Sequence, residues 1–174
     1  MDVNEPIILS EYDFEWPTRF ANEKRAILNL GEVGFTAVEH FGSTAVPGMV
    51  AKPIIDILIR VESLPPTGMQ VRALETLAYE SLGEAGVPGR FYFRRRGDQA
   101  FNIGVVEWNG PIWRDGLLLR DFLRSNAEYA RQYGTLKRAA LDAGHTDLLD
   151  YSANKHAFMR ELLRQAEQKV TQRQ

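Results

Sequence analysis

The sequence predicts an α+β fold: a mixed β-sheet with packed helices and a C-terminal helical layer. Three observations predict it. The apolar patterning runs helix, strand, strand, helix, strand, strand, and after that only helices, an order that segregates sheet from helical bundle. Ile54 to Val61 is apolar on both faces apart from Asp56 and Arg60, as expected of a strand in the middle of its sheet. From Ile112 onward, helical stretches are joined by the short connections Ser125-Asn126 and Gly144-His145-Thr146, so they should pack against one another. The chain reads as one domain, with a sheet-containing core over 1–110 and helices over 111–170.

Each element has its own signal. Ile7-Ile8-Leu9 reads as a short strand or extended arm. Pro17 suits the first turn of a helix, where its missing N–H goes unused. Phe20, Ile27 and Leu28 then recur at helical spacing up to Leu30, and Gly31 and Gly34 stop the helix. Phe35 to Phe41 alternates, which predicts the first core strand. Ile54 to Val61 is the second. Thr67 to about Leu82 reads as a helix with Val71, Leu74, Leu77 and Ala78 on one stripe. Gly83 to Gly89 is too rich in Gly and Pro for regular structure. Phe91 to Arg96 and Ala100 to Trp108 read as a hairpin around Arg96-Gly97-Asp98-Gln99. The helices follow at about 112–124, 127–143 and 147–167, and Gln168 to Gln174 reads as a polar tail. In the middle helix Tyr129, Tyr133, Leu136 and Ala140 form one stripe.

Composition narrows the function classes. A hydrophobic share of 44% and a charged share of 25% over 174 residues fit an ordinary globular domain with a real core. The net charge of −2 offers no electrostatic argument for nucleic acid or an anionic membrane as partner. No apolar run is long enough to span a bilayer, and the N-terminus lacks the basic-then-apolar pattern of a signal peptide. The absence of cysteine excludes disulfides and thiolate metal sites and fits a cytoplasmic location.

The chemistry concentrates in one stretch, His40 to Arg60. Gly42-Ser43 ends a strand, where a glycine admits close backbone approach. The hydroxyl and N–H groups that follow, including those of Thr44, can hold phosphate oxygens. An ordinary turn would look the same. Asp56 is the one acid in an apolar strand, and a buried carboxylate needs a partner. It is either a metal-ligating acid or an ion pair with Lys52 or an arginine. Two-metal chemistry needs several carboxylates on one face. On this strand the next same-face position is Leu58, so the strand offers a single ligand. Tyr92, Arg94 and Arg96 share one face of their strand and Phe91, Phe93 and Arg95 the other. Arg94 either grips an anionic ligand or belongs to a charged, solvated edge. Lys155 interrupts an apolar helical stripe and either contacts phosphate or extends its head to water. His40 is a proton carrier, a ligand, or hydrogen-bonded structure.

The segment E-H-F-G-S-T-A-V-P-G-M-V-A-K-P-I-I-D-I-L, Glu39 to Leu58, resembles the signature of the GrpB-like family, part of the nucleotidyltransferase-fold superfamily. Y-D-F-E-W-P (Tyr12 to Pro17), G-V-P-G-R-F-Y-F-R (Gly86 to Arg94), L-R-D-F-L-R (Leu119 to Arg124), Y-G-T-L-K (Tyr133 to Lys137) and Y-S-A-N-K-H-A-F (Tyr151 to Phe158) resemble its other motifs, so the resemblance covers nearly the whole chain. It implies a nucleotidyltransferase-like sheet, with Gly42 and Ser43 on the phosphate side and Asp56 as the first metal-ligating acid, holding Mg²⁺ together with the nucleotide. Lys52, Arg94 and Lys155 would offset phosphate charge. The family usually carries histidines at two alternate positions of the later strand, where this chain has Asn102 and Gly104, and neither is a good Mg²⁺ ligand. The resemblance therefore implies a protein that binds a nucleotide or another phosphate-bearing small molecule, with weak nucleotidyl transfer at best. A second expectation is a non-catalytic interaction or folding-support module with a protein partner, as GrpB-like domains resemble a segment fused behind dephospho-coenzyme A kinases. RNA binding through Arg90 to Arg96 is the least favoured.

Overall fold

A computed structural model describes residues 8–143 and 148–171, with the side chains of 148–156 and 170–171 outside the description. Helix α1 (Trp16–Leu28) leads into strand β1 (Ala37–Phe41). A single 3-10 turn (Ser43–Ala45) and an irregular loop connect it to β2 (Ile54–Val61). Helix α2 (Gly68–Thr76), β3 (Glu80–Ser81), β4 (Arg90–Arg95) and β5 (Ala100–Glu107) complete the sheet part. Helices α3 (Pro111–Ser125), α4 (Ala127–Asp142) and α5 (Leu148–Thr171) follow.

The sheet is five-stranded and mixed, in the order β1-β2-β5-β4-β3. Only the β2–β5 pair is parallel. β2 sits inside the sheet, as its two apolar faces require. Its odd-numbered residues Ile55, Ile57, Ile59 and Val61 are buried with Phe93, Phe101, Ile103 and Val105 against Ile27 of α1 and Leu74 of α2. Its even-numbered residues face the other way, toward the C-terminal helices. There a second core forms from Phe122, Leu123, Ala130, Tyr133, Leu162 and Ala166, together with Val46 and Met49 of the β1–β2 loop. That loop is therefore held between sheet and helical layer.

Two elements depart from the expected ones. The helix expected over Thr67 to Leu82 keeps its start, where Thr67 and Gln70 cap reciprocally, but it stops at Thr76. Ala78 turns to φ +63 and sends Tyr79 into the core, where its hydroxyl donates to the buried carboxylate of Glu23 at 2.9 Å. Arg95 closes the same cluster, 2.6 Å from Glu23 and stacked over the Tyr79 ring. The chain then continues as the edge strand β3, which the sequence reading counted as helix. The expected polar tail is also shorter, because α5 continues to Thr171. At the N-terminus, Ile8 and Leu9 belong to no strand, and a single bridge joins Ser10 to Ala51. The expected connection at Gly144-His145-Thr146 lies outside the described residues. No helix among the described residues is long and apolar enough to cross a membrane.

Candidate functional site

The site forms where the β1–β2 loop crosses the even-numbered face of β2. Gly42 adopts φ +70 and ψ −168, a conformation essentially confined to glycine. A Cβ on it would stand 2.6 Å from Asp56 Oδ2. The loop thus lies directly on the Asp56 carboxylate, and only a residue without a side chain permits the contact.

Register pairing extends this row across the sheet. Phe41 pairs with Asp56, Asp56 with Asn102, Asn102 with Arg94 and Arg94 with Glu80. The Asn102 amide nitrogen donates to Asp56 Oδ1 at 2.8 Å. Its oxygen accepts from the Tyr92 hydroxyl at 2.6 Å and from Arg96 at 3.0 Å. These two donors fix the amide with its N–H₂ toward the carboxylate. Asn102 therefore acts here as a donor to Asp56 and does not present its oxygen as a metal ligand.

The helical layer supplies a cation. Lys137 of α4 is almost fully buried, and its ammonium donates to Ser43 Oγ at 3.0 Å and to the carbonyl of Val50. It also lies 4.5 Å from the centre of the Tyr133 ring. Val50 packs closely on Gly134 of the same helix, where an added Cβ would meet it at 3.2 Å. Ser43, Thr44, Lys52, Asp56, Asn102 and Lys137 surround a small polar cavity of about 60 Å³. Lys52 and Ile54 also line a neighbouring cleft of about 290 Å³ that reaches Arg19 and the Gly97–Gln99 turn. Two arginines of α3 clamp the other side of the loop. Arg120 donates to the His40 carbonyl at 2.9 Å and to Glu39 at 2.8 Å, and Arg124 donates to the Ala45 carbonyl at 2.7 Å. Burial works against the Arg120 charge, but its bonds to Asp121 and Glu39 outweigh that and raise its pKa.

The structure thus brings Gly42, Ser43, Thr44, Lys52, Asp56 and Asn102 together. His40 lies just beneath, buried, stacked on Phe20 with ring centres 4.7 Å apart, its Nε2 3.0 Å from Thr44 Oγ1. Burial, with Arg124 and Arg120 nearby, lowers its pKa to about 3, so the ring is neutral and supports the loop through Thr44. Arg94 shares the face but pairs with Glu80 at 2.8 Å, at the far edge of the sheet. The Lys155 side chain lies outside the described residues.

Two residues were not expected at this site, Lys137 and Arg90, the latter read only as one end of the basic Arg90–Arg96 run. Lys137 falls four residues after Tyr133 and three before Ala140, so it sits on the apolar stripe of α4, and a lysine on such a stripe was the available signal. Arg90 shares the even-numbered face of β4 with Tyr92 and Arg94. Its stem passes over Gly104, where an added Cβ would meet Arg90 Cδ at 3.3 Å and Leu58 Cδ2 at 3.2 Å.

The donor set does not fit a pair of Mg²⁺ ions. The next position of β2 on the Asp56 face is Leu58, Asn102 turns its N–H₂ to Asp56, and no group of three or more His, Cys, Asp or Glu side chains among the described residues could hold a metal. Among the described residues that line the cavity, Asp56 is the one carboxylate these donors offer to a cation.

Comparison with known proteins agrees with this architecture. The crystal structure of conserved protein GrpB from Enterococcus faecalis superposes with a TM-score of 0.83 at 32% identity, covering 94% of this chain and 99% of that one. YqkA of Bacillus subtilis is 34% identical over 80% of this chain, which spans only 40% of YqkA's length. The glutamate-rich protein GrpB of Alkalihalophilus pseudofirmus is 29% identical, with 90% of this chain and 94% of that protein covered. A dephospho-CoA kinase of Mycolicibacterium paratuberculosis matches at 26% identity over 92% of this chain and 46% of its own length. The fold is also similar to that of Cid1 poly(U) polymerase, at a TM-score of 0.54 and 15% identity over 84% of this chain and 49% of that one. The model of the GrpB protein family matches residues 6–165, and with that extent of agreement the chain belongs to the GrpB family.

Proposed function

We propose that this protein binds a nucleotide or another phosphate-bearing small molecule on the Gly42-Ser43 loop, with weak nucleotidyl transfer as the activity this site can support. One observation carries the reading. A glycine-specific loop lies directly on the single carboxylate of an internal strand, and a buried lysine holds the loop serine. Backbone N–H groups of such a loop, with Ser43, Lys52 and Lys137 around it, offer donors and positive charge to phosphate oxygens. The likeness to Cid1 poly(U) polymerase, described with Mg and 3′-dATP bound, supports a nucleotide as the ligand class. The transfer would proceed by attack of an acceptor hydroxyl on the α-phosphorus. The bond to the bridging oxygen breaks, pyrophosphate leaves, and Asp56 takes the hydroxyl proton.

The test is calorimetric titration of ATP, GTP, CTP and UTP into the wild type and Asp56→Ala, with Mg²⁺. The reading expects binding by the wild type and a changed affinity in the variant, because removing a charge beside a bound phosphate must alter its energy. Absent binding, or equal affinity in both, would put the ligand elsewhere or nowhere.

The second reading is a non-catalytic interaction or folding-support module with a protein partner. The lack of a further metal-ligating side chain at Leu58, Asn102 and Gly104 favours it, as does the likeness to part of a dephospho-CoA kinase. A stoichiometric protein partner recovered with no nucleotide bound would support it.

A further inference from the structure

Arg90 carries a buried donor that the fold leaves without a hydrogen bond. Its Nε is buried and has no hydrogen-bond partner among the described residues. Unpartnered buried donors are rare in folded proteins and call for an explanation. The neighbourhood is built to accommodate it. Gly104 lies opposite Leu58 on one side and Tyr92 on the other, and its lack of a side chain lets the Arg90 stem cross β5. The guanidinium carbon lies 4.8 Å from the centre of the Tyr92 ring, and the Tyr92 hydroxyl in turn holds the Asn102 amide that faces Asp56. Arg90 pairs with Val106, two same-face positions along from the Asp56–Asn102 row, and joins the side-chain network of that row through Tyr92. Burial lowers its pKa, while Tyr92 and the nearby Asp56 charge oppose that, and a guanidinium stays protonated throughout the working range.

The position is informative. Leu58 and Gly104 pair on the same sheet face as Asp56 and Asn102 and carry no carboxylate, and the Arg90 stem lies over Gly104. A fixed guanidinium supplies positive charge to phosphate oxygens in a bidentate geometry, without a metal. Resting on the phosphate-ligand reading above, we propose that Arg90 contacts the ligand's phosphate, so that this protein binds phosphate-bearing ligands without a divalent cation. The charge count agrees with this. Among the described residues that line the cavity, Asp56 is the one carboxylate, against Lys52 and Lys137.

The experiment is calorimetric titration of ATP and of pyrophosphate into the full chain, in EDTA and in Mg²⁺. Wild type, Arg90→Gln, Arg90→Lys and Asp56→Asn are compared, with thermal melting of each as a folding control. The wild type is expected to bind in EDTA within about threefold of its affinity in Mg²⁺. Arg90→Gln is expected to lose about tenfold or more, the scale of a lost charged hydrogen bond, with Arg90→Lys recovering part of it. Asp56→Asn is expected to bind more tightly in EDTA, since a like charge beside the phosphate is gone while an acceptor for Asn102 remains. Binding only in Mg²⁺, or unchanged affinity in a folded Arg90→Gln, overturns the proposal and leaves the nucleotide reading standing. No binding by the wild type in either condition overturns both. The wild-type comparison needs no variant, so misfolding of Arg90→Gln does not blunt the test.

Discussion

At the scale of single residues, the site depends on groups whose surroundings leave them no alternative. Gly42 combines a backbone conformation that L side chains avoid with a Cβ position 2.6 Å from Asp56 Oδ2. Gly42→Ala should therefore cost roughly 2–4 kcal/mol, backbone strain plus overpacking. Part of that cost is steric against the carboxylate, so the double variant Gly42→Ala, Asp56→Ala should be more stable than the sum of the single changes predicts. Chemical denaturation of the four proteins measures the coupling. His40 gives a pH dependence of known sign. Its folded pKa lies near 3, below the ordinary 6.5, so between those values the unfolded chain binds a proton that the folded chain does not. Stability is complete above pH 6.5 and is lost as the pH falls toward 3, by at most about 1.4 kcal/mol per pH unit. His40→Gln should remove that part of the slope in denaturation curves taken across the window. Asp56 and Gly42-Ser43 were legible from sequence because their signals are local: a lone acid in an apolar strand and a glycine closing one. The neutral state of His40 was not, because it depends on Phe20, Arg120 and Arg124, which lie far along the chain.

At the scale of elements, β2 was legible end to end because two apolar faces admit only an internal strand. The end of α2 was not. Leu77 and Ala78 continue a helical stripe in sequence, and only the burial of Tyr79 against Glu23 and Arg95 explains why the chain turns there. The role of α4 was hidden for a similar reason, since Lys137 resembles a break in a stripe until the Val50 carbonyl and Ser43 are placed above it. This contact makes α4 a strut for the loop. Lys137→Met keeps the stem's bulk but leaves two loop acceptors without their buried donor, so it should cost about 1–3 kcal/mol. It should also raise hydrogen-exchange rates at the loop amides from Ser43 to Ala51 more than those of β5. Equal changes in both would show a global effect and remove the strut interpretation.

At the scale of the whole molecule, the loop from Gly42 to Pro53 is where two apolar cores meet. One lies between the sheet and helices α1 and α2, and the other is built from α3, α4 and α5 with Val46 and Met49. A ligand seated on this loop would touch both halves through Asp56 and Lys137. A different surface is available for comparison, an apolar groove of about 640 Å³ lined by Phe41, Ile112, Leu119, Met159 and Leu163. The two locations give separate signals in a proton–nitrogen correlation spectrum. On adding ATP, the account predicts shift changes centred on the amides of Gly42, Ser43, Thr44 and Ala45 and on the Asn102 side-chain amide, with Lys137 neighbours following. Changes centred on Ile112, Leu119 and Leu163, or no changes at saturating ATP, would contradict it.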